Sequence, residues 1–318
     1  MKKLLAIGEA LIDFIPQESG KAMKDVSGFS PAVGGAPANV CGAYRKLGGE
    51  AGMITQLGQD PFGDKIVEAF QSWEIDCSYL SRTTKANTSL AFVALKEDGN
   101  REFSFYRKPG ADMLLEETAI QKEWFTDTYA LHFCSVSLGD FPMKQTHKRA
   151  IAYATQAGAI ISFDPNLRMA LWEKPEDLKK AVLEFLPLAH IVKISDEELS
   201  FLTGKEKIED ALPMLFKGNV KLVIFTKGAD GSEAYTANAK AATPGYPVKA
   251  FDTTGAGDAF IGSFLYQLSE AKIGVQNLDA LTAEQMEAFL DFSSKYCSKS
   301  VLKAGAIASY PTRNEMKA

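Results

Sequence analysis

Phe251-Asp252-Thr253-Thr254-Gly255-Ala256-Gly257-Asp258-Ala259-Phe260 decides how the rest of the chain is read. Two glycines and an alanine stand directly before an apolar run that ends near Leu268, and small Gly262 and Ser263 within it allow close packing. A helix is therefore expected over 258–269. A helix N-terminus presents unpaired N–H groups and the positive end of a dipole, and residues without bulky side chains let an anion reach them. A carboxylate there repels a phosphate unless its task is to take the proton from whatever attacks that phosphate. Asp258 as base, with Gly255, Ala256 and Gly257 as cradle, is the apparatus of phosphoryl transfer. Taken alone, the run also fits a glycine turn with an aspartate in the first helical turn, where Asp is common. Asp252 and Thr254 add oxygen ligands just before the cradle, where a cation fits.

A second run lies far upstream. Val33-Gly34-Gly35-Ala36-Pro37-Ala38-Asn39-Val40-Cys41-Gly42 leads into Ala43-Tyr44-Arg45-Lys46-Leu47-Gly48. Gly34 and Gly35 let the backbone approach a polyol, and Asn39 can donate to and accept from hydroxyls. By itself this run also reads as a helix start with proline near its first position. Taken together and in this order, the two runs resemble the two signatures of the ribokinase (PfkB-type) family of sugar and nucleoside kinases, and the resemblance covers essentially the whole chain. It implies a ribokinase-like three-layer α/β/α core with a mostly parallel central sheet, plus a small β-sheet lid over the sugar site. It also implies ATP and Mg²⁺ as cofactors, with K⁺ as a further cation.

Composition sets the outer bounds. The chain has 318 residues, 46% hydrophobic and 24% charged, as in an ordinary soluble enzyme. The net charge of −5 without a basic run argues against nucleic acid. Cys41, Cys77, Cys134 and Cys297 are scattered with no C-x-x-C, which reads as a reduced set in a cytoplasmic protein. His132, His147 and His190 lack metal-ligand spacing and read as packing or surface residues. The opening Met1-Lys2-Lys3-Leu4-Leu5-Ala6-Ile7 imitates a signal peptide, but Glu9 and Asp13 interrupt the apolar stretch, so a core strand is expected. No run approaches the length of a membrane span.

Short apolar runs bounded by turn residues predict buried parallel strands at 4–8, 51–57, 129–134, 160–163, 191–194 and 222–226. Helical patterns alternate with them at 38–47, 62–73, 142–157, 175–186, 195–202, 206–216, 258–269 and 282–303. That alternation implies a parallel sheet covered on both faces, with ligands beyond the carboxyl ends of the strands. Two stretches break the rhythm and look antiparallel: 11–16 with 25–29, and 88–95 with 101–107, the second pair turning at Glu97-Asp98-Gly99-Asn100. They read either as an edge hairpin or as a separate small sheet. The resemblance places the lid here, giving a lid of 10–31 and 87–112 on a core of 1–9, 32–86 and 113–318. It is also the face through which a homodimer is expected. A closing lid excludes water from the phosphoryl group.

The chain has neither G-x-x-x-x-G-K-[ST] nor a G-x-G-x-x-G after its first strand, so P-loop and dinucleotide folds are set aside. Leu222-Val223-Ile224-Phe225-Thr226-Lys227-Gly228-Ala229-Asp230-Gly231 is a strand opening into a glycine turn. It resembles the family's T-x-G-x-x-G loop, which implies that Thr226, Gly228 and Gly231 contact ATP. Lys193-Ile194-Ser195-Asp196-Glu197-Glu198 looks like the N-x-x-E region, implying Lys193 near the nucleotide and Glu198 on Mg²⁺ through water. Ser195 stands at the usual Asn position, and Ser followed by Glu198 is also a capping box. Asp252 and Thr254 resemble part of the family's monovalent-cation site, completed near Ala304-Gly305-Ala306.

Phe163-Asp164-Pro165-Asn166-Leu167-Arg168 brings polar side chains together at a strand end, readable as a turn with a solvated arginine. The resemblance puts Asn166 at the sugar and lets Arg168 offset developing negative charge. With Ala6-Ile7-Gly8-Glu9-Ala10-Leu11-Ile12-Asp13 and the stretch from Phe105-Tyr106-Arg107 to Gly110-Ala111-Asp112, this run looks most like bacterial fructokinases. The implied acceptor is fructose, held by Asp13, Gly34, Gly35, Asn39 and Arg107. 2-keto-3-deoxygluconate kinases share these segments, and Arg107 or Arg168 would clamp the carboxylate of that substrate. The sequence leaves both open. A non-catalytic sugar or nucleotide sensor on this fold would be expected to lack Asp258 or the cradle glycines, and both are present.

Overall fold

The computed structural model describes residues 2–18, 20–95 and 101–317. β1 (Lys3–Ile7) leads into the pair β2 (Leu11–Pro16) and β3 (Phe29–Gly34). Then follow α1 (Ala36–Lys46), β4 (Ala51–Gly58), α2 (Pro61–Ser72), β5 (Leu80–Thr83) and a second pair, β6 (Leu90–Leu95) and β7 (Arg101–Tyr106). The middle of the chain is β8 (Thr128–Cys134), α3 (Pro142–Gln156), β9 (Ile160–Asp164), α4 (Pro175–Phe185), β10 (Ile191–Ser195), α5 (Asp196–Thr203) and α6 (Ile208–Leu215). It closes with β11 (Leu222–Thr226), β12 (Ser232–Tyr235), β13 (Lys240–Thr243), α7 (Ala256–Glu270), α8 (Ala283–Ser300) and the short α9 (Arg313–Lys317).

Nine strands form one sheet in the order β13-β12-β11-β10-β9-β8-β1-β4-β5. Its pairings are parallel except for β11–β12 and β12–β13, which are antiparallel at one edge. The strand period of two sorts side chains between two cores. On β1, Leu4 and Ala6 face the layer of α1, α7 and α8, while Leu5 and Ile7 face the layer of α3 and α4. This is the expected three-layer core. The other two strand pairs make a separate sheet, β3-β2-β6-β7, in which β2 and β6 run parallel.

Three expectations need correction. The partner of β2 is 29–34, not 25–29; Met23–Asp25 is a 3₁₀ turn instead. Pro31 obscured the strand, yet β3 is an edge, where a missing N–H costs no ladder bond. β5 and the β12–β13 pair had no counterpart in the expected strands, because they are four residues each and carry no continuous apolar run. The helix expected over 206–216 is shorter, Ile208–Leu215. The expected turn Glu97-Asp98-Gly99-Asn100 lies outside the described residues.

Candidate active site

The site is built where the sheet's α7 face turns polar. On β9, Ile160 faces the α7 layer, so Ser162 and Asp164 follow on that face; on β10, Ile191 is followed by Lys193. Both polar side chains stand at strand carboxyl ends. Lys193 Nζ meets Asp164 Oδ2 at 2.7 Å, with both side chains almost fully buried. Burial pulls the Lys193 pKa down, but Asp164 and Glu198 outweigh it, so the ammonium titrates above its ordinary range and stays charged. Asp164 Oδ1 has no partner, although it is buried and its residue lines the cleft described below.

α7 begins at this point. Gly255 precedes it in the left-handed region, φ 73°, and a Cβ there would lie 2.4 Å from the Tyr310 hydroxyl. That hydroxyl donates to the Gly255 carbonyl at 2.8 Å, fixing the turn. The Ala256 N–H already donates to the Thr253 carbonyl at 3.2 Å, so this cradle amide is partly committed to the turn. A Cβ on Gly257 would come within 3.4 Å of Lys193 Nζ, so the missing side chain leaves the helix start open toward that cation.

Asp258 is buried in the first turn of α7. Asn39 Nδ2, from α1, donates to Oδ2 at 2.9 Å, and Asn166 Nδ2, from the loop after β9, donates to Oδ1 at 3.3 Å. Three distant stretches of sequence thus meet at one carboxylate. Its pKa is pushed up to about 6, chiefly by burial and further by Asp164, against the Asn39 hydrogen bond and the charges of Arg168 and Lys193. A carboxylate tuned this way is ionised at neutral pH and more basic than a free aspartate.

A cleft of about 590 Å³ opens beside it, large enough for a nucleotide. Asn166, Arg168, Lys193, Glu198, Thr226, Gly228, Gly231, Gly255, Ala256, Gly257 and Asp258 all line it. Gly228 and Gly231 take φ 54° and 98°, which other residues rarely adopt. A Cβ at Gly228 would meet nothing within 4 Å, whereas one at Gly231 would strike the Thr243 carbonyl. Glu198 receives the N–H groups of Ser195 at 3.0 Å and Leu167 at 2.9 Å, so it ties α5 to the Asn166 loop. Burial, followed by Asp164, raises its pKa. Ser195 caps α5, and its backbone supplies the N–H that Glu198 accepts.

The remaining candidates lie outside the cleft lining. Asp13 leans over Gly34: a Cβ on Gly34 would fall 2.1 Å from Asp13 Oδ2. Gly35, at φ 114°, has no room for a side chain, since a Cβ there would lie 2.5 Å from the Glu9 carbonyl, and it opens α1, whose Asn39 reaches Asp258. Of these four residues Asn39 touches Asp258, while Asp13 and Gly34 belong to the small sheet and Gly35 joins that sheet to α1. Arg107 does not line the cleft either; its guanidinium is buried and held by Asp112. Asp252 accepts from Thr254 and from the Gly305 N–H at 2.9 Å, which joins the two segments expected to form a cation site. Asp164 and Tyr310 were not singled out from the sequence. Asp164 lies within the polar Asp164–Arg168 run, while nothing around Tyr310 marks it.

A helix N-terminus beside a buried lysine, a buried carboxylate in its first turn and a nucleotide-sized cleft at strand carboxyl ends fit a phosphotransferase of the three-layer α/β class. Known proteins agree. The model of the pfkB family carbohydrate kinases matches residues 1–313. Probable fructokinase-2 of Arabidopsis thaliana is 39% identical over 310 residues, 97% of this chain and 93% of that one. Fructokinase-1 of Oryza sativa subsp. japonica is 38% identical, covering 98% of this chain and 96% of its own. Among solved structures, a fructokinase of Xylella fastidiosa with bound ATP superposes with TM-score 0.91 at 34% identity, covering 99% of this chain and 97% of that one. A fructokinase of Vibrio cholerae O395 with fructose, ADP and calcium gives TM-score 0.87 at 32% identity, covering 100% of this chain and 98% of that one. The chain belongs to the pfkB family of carbohydrate kinases.

Proposed function

We infer that the chain is an ATP-dependent fructose kinase that makes fructose 6-phosphate. The observation that carries this reading is Asp258, buried at the start of α7 on the cleft wall and held by Asn39 and Asn166. ATP lies in the cleft along Thr226, Gly228 and Gly231, with its terminal phosphate between Lys193 and the N-terminus of α7. Fructose lies across Asp258, against Asp13, Gly34, Gly35, Asn39 and Asn166. The sugar's primary hydroxyl gives its proton to Asp258, its oxygen bonds to the γ-phosphorus, and the bond to the β–γ bridging oxygen breaks to leave ADP. Lys193, the dipole of α7 and Arg168 hold the negative charge on the transferring group.

The residues fit a metal on the nucleotide. Glu198 and the unpartnered Asp164 Oδ1 sit on the cleft wall and would bind waters of Mg²⁺, which supplies charge neutralisation at the phosphates. Asp252 and the Thr254 carbonyl, tied to Gly305, would hold K⁺ and stiffen the loop before α7. The small sheet acts as a lid over the sugar. Its aromatic cluster of Phe14, Phe29, Phe92 and Tyr106 leaves Tyr106 65% exposed, which suits a homodimer joined through that sheet. No helix among the described residues is long and apolar enough to cross a membrane, and the four cysteines are free, which suits an enzyme of the cytoplasm.

A keto-deoxy sugar acid needs a cation for its carboxylate. Arg107 is held by Asp112, which leaves Arg168 of the two arginines considered for that carboxylate. A site built to pair a carboxylate discriminates strongly against a neutral sugar. The kcat/KM ratio for fructose over 2-keto-3-deoxygluconate is therefore expected to be well above one in a coupled ATP-turnover assay. A ratio below one would make the chain a keto-deoxy sugar acid kinase.

A further inference from the structure

We propose that Glu9, Ser137, Arg107, Asp112 and Ser89 form one buried hinge lock that seats the small sheet on the core and so positions the sugar for Asp258. The proposal rests on the sugar-kinase reading above. The chain passes between the two sheets four times: at 8–10 before β2, at Gly35 after β3, at 84–89 before β6, and from Arg107 onward after β7. The five side chains touch all four passages. Glu9 Oε1 accepts the Ala36 N–H at 3.1 Å, joining the first passage to the second. Ser137, from the loop after β8, donates to Glu9 Oε2 at 3.4 Å and accepts from Arg107 Nη2 at 3.1 Å, which reaches the fourth. Arg107 grips Asp112 Oδ2 through Nη2 at 2.5 Å and Nε at 2.9 Å, and Ser89 donates to Asp112 Oδ1 at 2.5 Å, which closes on the third.

All five residues are at most 6% exposed. The Arg107 Nη1 also donates to the Val136 carbonyl at 3.3 Å, and its guanidinium lies over the Phe141 ring. Ser89 continues into the sheet, since its carbonyl accepts the Ile12 N–H at 3.1 Å. Such a planar, fully engaged fork is a task for arginine and is poorly served by lysine. The lock sets two sugar-side elements at once. It places β2, which carries Asp13, and the start of α1, which carries Asn39. The nucleotide cleft draws on neither.

The test compares wild type with Ser137→Ala, Arg107→Met and Arg107→Lys in the full chain. Initial rates are read with fructose and ATP, and amide hydrogen exchange is read by mass spectrometry. Ser137→Ala removes one hydroxyl and keeps the fold measurable even if Arg107→Met does not. Because small misplacements of reacting groups are costly, the KM for fructose is expected to rise about tenfold or more, with the KM for ATP within about twofold. Exchange over 11–16 and 90–95 should quicken while 222–226 stays protected, and Arg107→Lys should recover part of both effects. Unchanged fructose KM and small-sheet exchange in Ser137→Ala, or equal rises in both KM values, would overturn the lock. If wild type does not phosphorylate fructose, the substrate reading fails, and the exchange measurements still decide the lock.

Discussion

Asp258 shows how one residue's function and cost are joined. Replacing it with asparagine removes the proton acceptor, and loss of a general base is typically worth about 10²–10⁴ in rate. The kcat of Asp258→Asn should drop by that order with the KM for ATP nearly unchanged; a mutant retaining a tenth of wild-type turnover would take the base role away from Asp258. The wild-type kcat/KM should also fall on the acid side with a midpoint near pH 6, where the carboxylate protonates. The stability effect has the opposite sense. The native pKa is raised above the unfolded one, so the unfolded state releases its proton first and the ionised group disfavours folding as pH rises from about 4 to about 6. Asp258→Asn should therefore melt at or above the wild-type temperature at pH 8, with that advantage gone below pH 4. Asn39 makes room for this change, since its Oδ1 is buried without a partner and an amide flip offers it to the new donor. Asp258 was legible because glycines and an apolar run frame it. Asp164 was hidden inside its segment, because its importance comes from Lys193, which only the parallel pairing of β9 and β10 brings alongside.

At the scale of elements, the start of α7 separates structural glycine from functional glycine. Gly255→Val places a β-branched residue at φ 73° and drives its Cβ into Tyr310 and Ala306. Strain of this kind costs about 1–3 kcal/mol. That variant should melt well below wild type and lose ATP affinity as the cradle shifts. Gly257→Ala sits in ordinary helical backbone, and its methyl meets only Lys193, at 3.4 Å. It should melt like wild type yet show a raised KM for ATP. Matched melting losses in both variants would mean that the α7 start is a packing joint and not an anion cradle. The same contrast explains what the sequence revealed. β1, β4 and β8 to β11 are buried on both faces and read as plain apolar runs, and α7 was legible through its own small residues; Gly262 packs against Ala43 and Val40 of α1. β5, β12 and β13 lie at or near the sheet edges, where half-exposed or alternating side chains leave no such run. Their pairing is set by neighbours far away in sequence.

At the scale of the whole molecule, the proposed function has Asp258 divide two binding regions that draw largely on different elements. The cleft is lined from β9, β10, β11, α7 and α8, and the proposed sugar side from β2, β3 and α1. Each ligand should therefore be removable without the other. A ligand that binds only the folded state stabilises it by mass action, about 2.7 kcal/mol at a hundredfold excess over its Kd. Melting shifts thus report each site apart from turnover. Gly228→Val forces a β-branched residue into φ 54° and fills the open space beside that backbone. It should abolish the upward melting shift given by ATP with Mg²⁺ while keeping the shift given by fructose. Asp13→Ala, on β2, should do the reverse. Asp258→Asn should keep both shifts while turnover is lost, because Asp258 acts on the proton and both ligands have other partners. Loss of both shifts in either single-site variant would show that nucleotide and sugar share one cooperative unit, and that the division at Asp258 is only geometric.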